Sequence, residues 1–231
     1  MEWRNYYMDL IFVPFGLVMI LAYHVWLSHK SQTQPFATTF GRDVDGRRLW
    51  VPAMIKDIDR KNIVAIQCLR NLIMGSTLMA TTAILICAGL GAIISSTYSV
   101  KKVVSNTIFG AHDGFVLGLK YAIILAIFFF SFLCHTFSIS FLNQLNILIC
   151  TPQDAKSLVT SQYLTQLLEK AILLNTAGNR LFYSAFPLLL WIFGPLLTFF
   201  SSMVMVILLY NLDFVTGNSD RSVHDFIPNS F

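Results

Sequence analysis

The sequence predicts an all-α polytopic membrane protein, a bundle of four transmembrane helices with amphipathic cytosolic extensions. Three observations carry that reading. Only 12% of the 231 residues are Asp, Glu, Lys or Arg, against about 25% in soluble domains. Hydrophobic residues make up 55% and aromatic residues 14%, and the mean hydropathy of +0.64 leaves too little polar surface to clothe a soluble globule. Four stretches stay apolar over the roughly 20 residues that a helix needs to cross about 30 Å of hydrocarbon. The same composition excludes a disordered chain, a collagen and a disulfide-stapled secreted fold.

The first span runs from about Met8 to Leu27. Its apolar run is too long for a secretory signal, and Glu2 beside Arg4 and the lack of a small-residue cleavage site favour an uncleaved anchor. Ser31 to Gly46 has turn-rich polar composition. From Val51 to Arg70 apolar residues recur at helical spacing with charges opposite, and no breaker separates them from the second span at about 72–95, so one helix is expected to continue through both. The third span covers about 121–142.

At Thr151-Pro152-Gln153-Asp154 a threonine cap, a proline at the first helical position and an early acid predict a cytosolic helix over about 152–175, ending near Asn175 to Gly178. The fourth span, about 182–210, has length to spare for tilting or kinking at Gly194-Pro195. Residues 1–215 thus read as a single four-span domain and 216–231 as a flexible, exposed tail.

Basic residues set the expected orientation. Eight lie between spans one and two and three between spans three and four, against five on the opposite side, which places both large loops in the cytosol and both termini outside. Aromatic residues agree, with Tyr121 and Tyr210 assigned to one interface and Tyr23, Trp26 and Tyr183 to the other.

Close helix contacts in lipid depend on small residues. Gly110, Gly114, Gly118, Ala122 and Ala126 form a four-residue repeat entering the third span, and Ala88, Gly91, Ala92, Ser95 and Ser96 do the same in the second. Such faces fit packing within the chain or a homo-oligomer. The cytosolic helices could pack on each other, on membrane lipids or on a protein partner.

Ionisable groups inside a bilayer are functional candidates. His24 and His135 fall at similar depth, so facing one another they could hold a metal or haem iron, or act as a protonation switch; separate hydrogen bonds to neighbouring helices are the plain alternative. Arg70-Asn71 and Asn179-Arg180 open the membrane parts of spans two and four, and with Gln67 and Asn175 nearby they suggest a polar cytosolic entrance for anions. Snorkelling to lipid phosphates is the alternative. Asp9, Asp113 and Asp213, near span ends, read as solvated.

Enzyme signatures are lacking: no P-loop, G-x-G-x-x-G, G-x-S-x-G or H-E-x-x-H occurs. Asp43-Val44-Asp45-Gly46 resembles the start of a calcium loop without its closing glutamate. Cys68, Cys87, Cys134 and Cys150 show no metal spacing. Nucleic-acid binding is not indicated, because acids interleave the basic residues of the first loop.

Three segments together resemble a known family: Tyr23-His24-Val25-Trp26-Leu27, Arg70-Asn71-Leu72-Ile73-Met74-Gly75-Ser76-Thr77, and Gly178-Asn179-Arg180-Leu181-Phe182-Tyr183 running into Pro187 to Pro195. They are similar to the domain of unknown function 599 family, multi-spanning membrane proteins of plants and bacteria. The resemblance implies four spans and one domain and brings no activity with it. The functional expectation is an oligomeric channel or transporter-like unit for a small ion or metabolite. A membrane scaffold recruiting a partner and a bis-histidine haem or metal redox protein are the alternatives.

Overall fold

The computed structural model describes residues 2–56, 58–99, 114–151 and 159–214. In chain order the helices are α1 (Glu2–Thr33), α2 (Thr39–Lys56), α3 (Ile58–Ser99), α4 (Gly114–Leu148), α5 (Ser161–Leu190) and α6 (Pro195–Asp213), with a 3-10 turn at Pro35–Ala37. Four of them contain stretches long and apolar enough to cross a membrane, Ile11–Thr33, Ile63–Ser96, Leu117–Leu148 and Pro195–Asp213. The chain is therefore an all-α, multi-pass integral membrane protein.

Three of these stretches agree with predicted spans, and the fourth corrects one. Residues 182–210 do not form a single helix but divide between α5 and α6. Trp191, Ile192 and Phe193 donate to the carbonyls of Leu188, Leu189 and Leu190 in a tightened last turn, and the chain then reverses. Pro195 is the cause: it disfavours helical backbone at the residue before it, while its fixed φ suits the first position of a new helix. Hydropathy misses the reversal because both arms are apolar.

After this turn α6 folds back along α5, bringing Asp213 to Arg180, and runs parallel to α1. Phe12 and Phe15 pack on Phe199 with ring centroids 5.7 and 5.8 Å apart, and Trp26 stacks on Tyr210 at 6.3 Å. Gly16 lets the two backbones approach, since a Cβ there would lie 2.9 Å from the hydroxyl of Ser202.

α4 packs antiparallel to α3 on one side and to α5 on the other. Against α3, the Cys87 thiol donates to the Leu125 carbonyl at 3.7 Å. Against α5, contacts step through Ser138 with Ala171, His135 with Asn175, Ser131 with Gly178, Phe128 with Phe182 and Lys120 with Trp191. The C-terminal half of α5 therefore lies in the same layer as the α4 span. Five helices share that layer, although Asn175, Asn179 and Arg180 make α5 too polar to be recognised by composition.

One core, built around Val13, Ala83, Ile124, Phe128, Phe182 and Leu188, fills this layer. A second, around Val51, Ala65, Leu69, Leu142, Leu145, Leu164 and Leu168, lies beyond Asp213, where α2 joins α3, α4 and α5. Residues 51–56 thus belong to α2 and 58–70 to α3, both lining this second core, and residue 57, through which the expected 51–70 helix would run, lies outside the described residues. Most of the supposed polar turn at 31–46 is helical as well. The Thr38 hydroxyl accepts the Gly41 N–H at 3.2 Å as a helix cap, and buried Val51 and the 2.9 Å Arg48–Glu169 pair tie α2 to its neighbours. On this helix the carboxylate of Glu169 raises the Arg48 pKa, while burial lowers that of Arg47.

The helix predicted over 152–175 is also redrawn. Residues 152–158 lie outside the described residues, the observed cap is Thr160, whose hydroxyl accepts from Tyr163 N–H, and the helix continues to Leu190. It passes through Gly178 because that residue packs against another helix. The tail 216–231 lies outside the described residues.

The chain reversal moves the last described residues to the other end of the bundle. Phe214 bridges to Thr38, and Thr39 donates to the carbonyls of Leu212 and Asp213 at 3.2 Å, far along α1 from Asp9. Tyr210 meets Trp26 for the same reason, where a single span would have set it beside Tyr121. In a cysteine-free background, single cysteines at exposed Gln34 and Asn211 should label from one side of the membrane and one at Phe193 from the other. Labelling of positions 34 and 211 from opposite sides would refute the reversal. Gly41→Ala should cost about 1–3 kcal/mol in detergent unfolding, because its Cβ would sit 2.2 Å from the Pro35 carbonyl oxygen.

Candidate functional site

Among the described residues, three groups of polar side chains join different helices of the shared layer. At the Asp9 end, Lys120 of α4 is buried, its side chain 1% exposed, and its Nζ lies 3.0 Å from Asp9 Oδ2 of α1. The ammonium also sits 5.1 Å from the Trp191 ring centroid, and the indole N–H donates to Asp9 Oδ1 at 3.3 Å. An isolated buried charge is prohibitively costly; here carboxylate and aromatic face together replace the water that lysine loses. Asp9 is thus corrected from solvated to paired, as is Asp213. Asp113 lies outside the described residues.

At the other end Asp213 of α6 accepts from Tyr23 of α1 at 2.6 Å and from Arg180 of α5 at 2.8 Å, with a second contact from the guanidinium to Oδ1. This is the bidentate geometry that suits arginine to carboxylates. Arg180 is therefore turned toward α1 and α6. Arg70, Gln67 and Asn71 are exposed on α3, and Asn179 is half-buried. Asn175 and Arg180 are five residues apart, about 140° around the helix, so Asn175 faces the opposite way. The expected single mouth lined by Arg70 and Arg180 is not assembled within the chain.

Asn175 belongs to the third group. Its Oδ1 accepts from Ser76 of α3 at 2.9 Å and lies 3.0 Å from Nδ1 of His135 of α4. Because an amide oxygen only accepts, this arrangement puts the ring proton on Nδ1. Ser131 and Ser138 flank His135 on the same face of α4 and donate to the carbonyls of Gly178 and Ala171 at 2.8 and 2.7 Å. His135 is completely buried, and among the described residues Nε2 has no hydrogen-bond partner. A Cβ at position 178 would lie 2.8 Å from that nitrogen, so Gly178 makes room for the ring.

The two histidines are not brought together as a ligand pair. His24 donates from Nδ1 to the Ile20 carbonyl of its own helix at 2.7 Å and meets Tyr23 edge-on, whereas His135 engages α5. Among the described residues no group of three or more His, Cys, Asp or Glu is placed to hold a metal ion. The four cysteines are free thiols.

Among the described residues the predicted packing stripe is largely uncovered. Gly110 lies outside the described residues, Gly114 opens α4, Gly118 and Ala122 are exposed and Ala126 is half-buried. A Cβ on Gly118 would meet only open space.

Lys120, Trp191, Ser76 and Ser131 stand outside the residues expected to form a site. One legible signal existed: Asp9 and Lys120 carry opposite charges at the same predicted end of two spans. Over residues 11–218 the chain matches the family described as Protein of unknown function, DUF599. The chain belongs to that family. A search of curated proteins and a search of solved structures find no match.

Replacing Gly178 by Ala should destabilise the DUF599 chain by about 1–3 kcal/mol, while Gly118→Ala should leave its unfolding midpoint in detergent nearly unchanged. Asp213→Asn should cost about 3 kcal/mol, the low end for breaking a buried ion pair, because the Arg180 side chain keeps 23% exposure. Adding Arg180→Leu to Asp213→Asn should recover part of that loss in the same measurement.

Proposed function

We propose that this DUF599 protein is a transport unit for a small ion or metabolite, working through its buried polar groups. The observation that carries the reading is that each of the five helices sharing the layer contributes a polar or charged side chain at the Asp213 end: Tyr23, Ser76, His135, Asn175 with Arg180, and Asp213. An anchor needs only apolar spans. Intramembrane ionisable groups are expensive, and in membrane proteins they gather along substrate, ion and proton pathways.

The Asp9–Lys120–Trp191 and Tyr23–Asp213–Arg180 groups close the two ends of α1, so opening one while the other holds would give access from one side at a time. Gln67, Arg70 and Asn71 form the polar approach on α3. The basic loops orient this end toward the cytosol. Homo-oligomerisation is part of the proposal, since Gly118 and Ala122 on α4 and Ala88 and Ala92 on α3 offer a second copy a close approach through lipid.

A scaffold reading draws on a different observation. Leu49, Ile63 and Ile147 are 74%, 72% and 73% exposed at the end of the bundle beyond Asp213, where a cytosolic protein could cover them.

Purified protein in liposomes should raise the flux of at least one member of a panel of small ions and metabolites tenfold or more over empty vesicles. The Asp213→Asn, Arg180→Leu pair should abolish that rise while the protein remains folded. Flux equal to that of empty vesicles across the panel overturns the transport reading. Retention of a partner by the wild-type chain and its loss on changing Leu49 and Ile147 to Ser would then favour the scaffold.

A further inference from the structure

Unlike the buried charged side chains Asp9, Lys120 and Asp213, the imidazole of His135 has no opposite charge beside it among the described residues. Among the described residues, α3 sets Ser76 near it and α5 sets Asn175 and Gly178. On α4 its neighbours are Ser131, Ser138 and the half-buried thiol of Cys134. The Arg180–Asp213 pair is turned to the other side of α5, and among the described residues no ion pair engages the ring.

The ring is nevertheless held in a definite orientation. Ser76 donates to Asn175 Oδ1, which turns that oxygen toward Nδ1 and fixes the proton there. The lone pair of Nε2 is left bare, fully buried and pressed against the one residue of α5 that has no side chain. A buried acceptor left unpaired costs about 1–3 kcal/mol, so packing alone would favour an apolar side chain here.

We propose that His135 is an intramembrane proton-binding site. Nε2 takes a proton from hydronium, one N–H bond forms at that nitrogen, water is released, and nothing is oxidised or reduced. The Nδ1–H bond to Asn175 persists and becomes charge-assisted. The Ser131 and Ser138 hydroxyls donate hydrogen bonds to α5 carbonyls, which leaves their oxygen lone pairs as acceptors on the same face of α4 as the ring. Asn175 and Ser76 are positioning residues, setting the tautomer that keeps Nε2 open. The site stands on this geometry; its use as the coupling group of transport rests on the transport reading.

The test is nitrogen NMR of the full chain labelled with 15N-histidine in phosphatidylcholine nanodiscs. The chain has five histidines, and His135→Gln assigns the signal; if that variant does not fold, substitution of the other four assigns it by elimination. At neutral pH His135 should show a protonated Nδ1 and a bare Nε2. Acidification should convert it reversibly to the doubly protonated ring while tryptophan fluorescence reports a folded protein. Asn175→Ala should shift the neutral ring toward the Nε2–H tautomer.

A neutral wild-type ring with the proton on Nε2, or a ring that stays neutral until the protein unfolds, overturns the proposal even if the protein carries other substrates. In vesicles loaded with a pH-sensitive dye, His135→Gln should cut proton movement about tenfold. A ring that titrates in a protein that moves no proton or solute keeps the proton site and overturns transport. Proton movement unchanged by His135→Gln overturns the coupling role.

Discussion

The carboxylate of Asp213 decides where three separate parts of the chain come to rest. It is 6% exposed, and a carboxylate removed from water must have its charge met by protein donors. Tyr23 brings α1 and Arg180 brings α5, while Thr39 holds the adjoining backbone carbonyls from the start of α2. The Asp9–Lys120 pair does the same at the opposite end, joining α1 to α4. Among the described residues of α1, those buried beyond Asp9, namely Val13, Gly16, Ile20, Tyr23 and Leu27, form only a narrow stripe. Two ionic anchors near the ends of that stripe set its register more sharply than the apolar contacts between them, because sliding one helical turn would strand both charges.

Hydropathy made the fold class and three spans legible, since about 30 Å of lipid imposes a length that few soluble helices share. It could not distinguish one long span from two arms of a hairpin, because lipid and protein interior are equally apolar. Pro195 was the visible mark of the break, and only the packing of α5 on α4 shows that its effect is a reversal rather than a kink. In the same way, α2 looked like a polar loop because its helix depends on anchors distant in sequence, Glu169 and the Leu164–Leu168 surface. The candidate histidines, arginines and amides could be named from the sequence. Their partners could not, because facing depends on helix rotation. Arg180 and Asn175 occupy one helix yet serve opposite sides.

Small residues illustrate the same limit. Gly118 and Ala122 of the regular repeat on α4 face outward, while Gly16 and Gly178, which receive side chains from other helices, stand outside any repeat. A four-residue period shows that a helix has a flat side. It does not say whether that side meets another part of the same chain. What marks Gly16 and Gly178 is the group received by each, a serine hydroxyl and an imidazole, and both lie on other helices.

The parallel placement of α1 beside α6 also bears on how the protein is made. Tyr23 and Asp213 are 190 positions apart, so at ribosomal rates of about 5–20 residues per second the phenol enters the membrane roughly 10–40 s before its acceptor exists. Lys120 follows Asp9 by 111 positions. During that interval α1 must remain at the translocon or keep its polar groups near the interface. The α1 contacts thus wait for α6, whose arrival supplies the acceptor that Tyr23 has lacked.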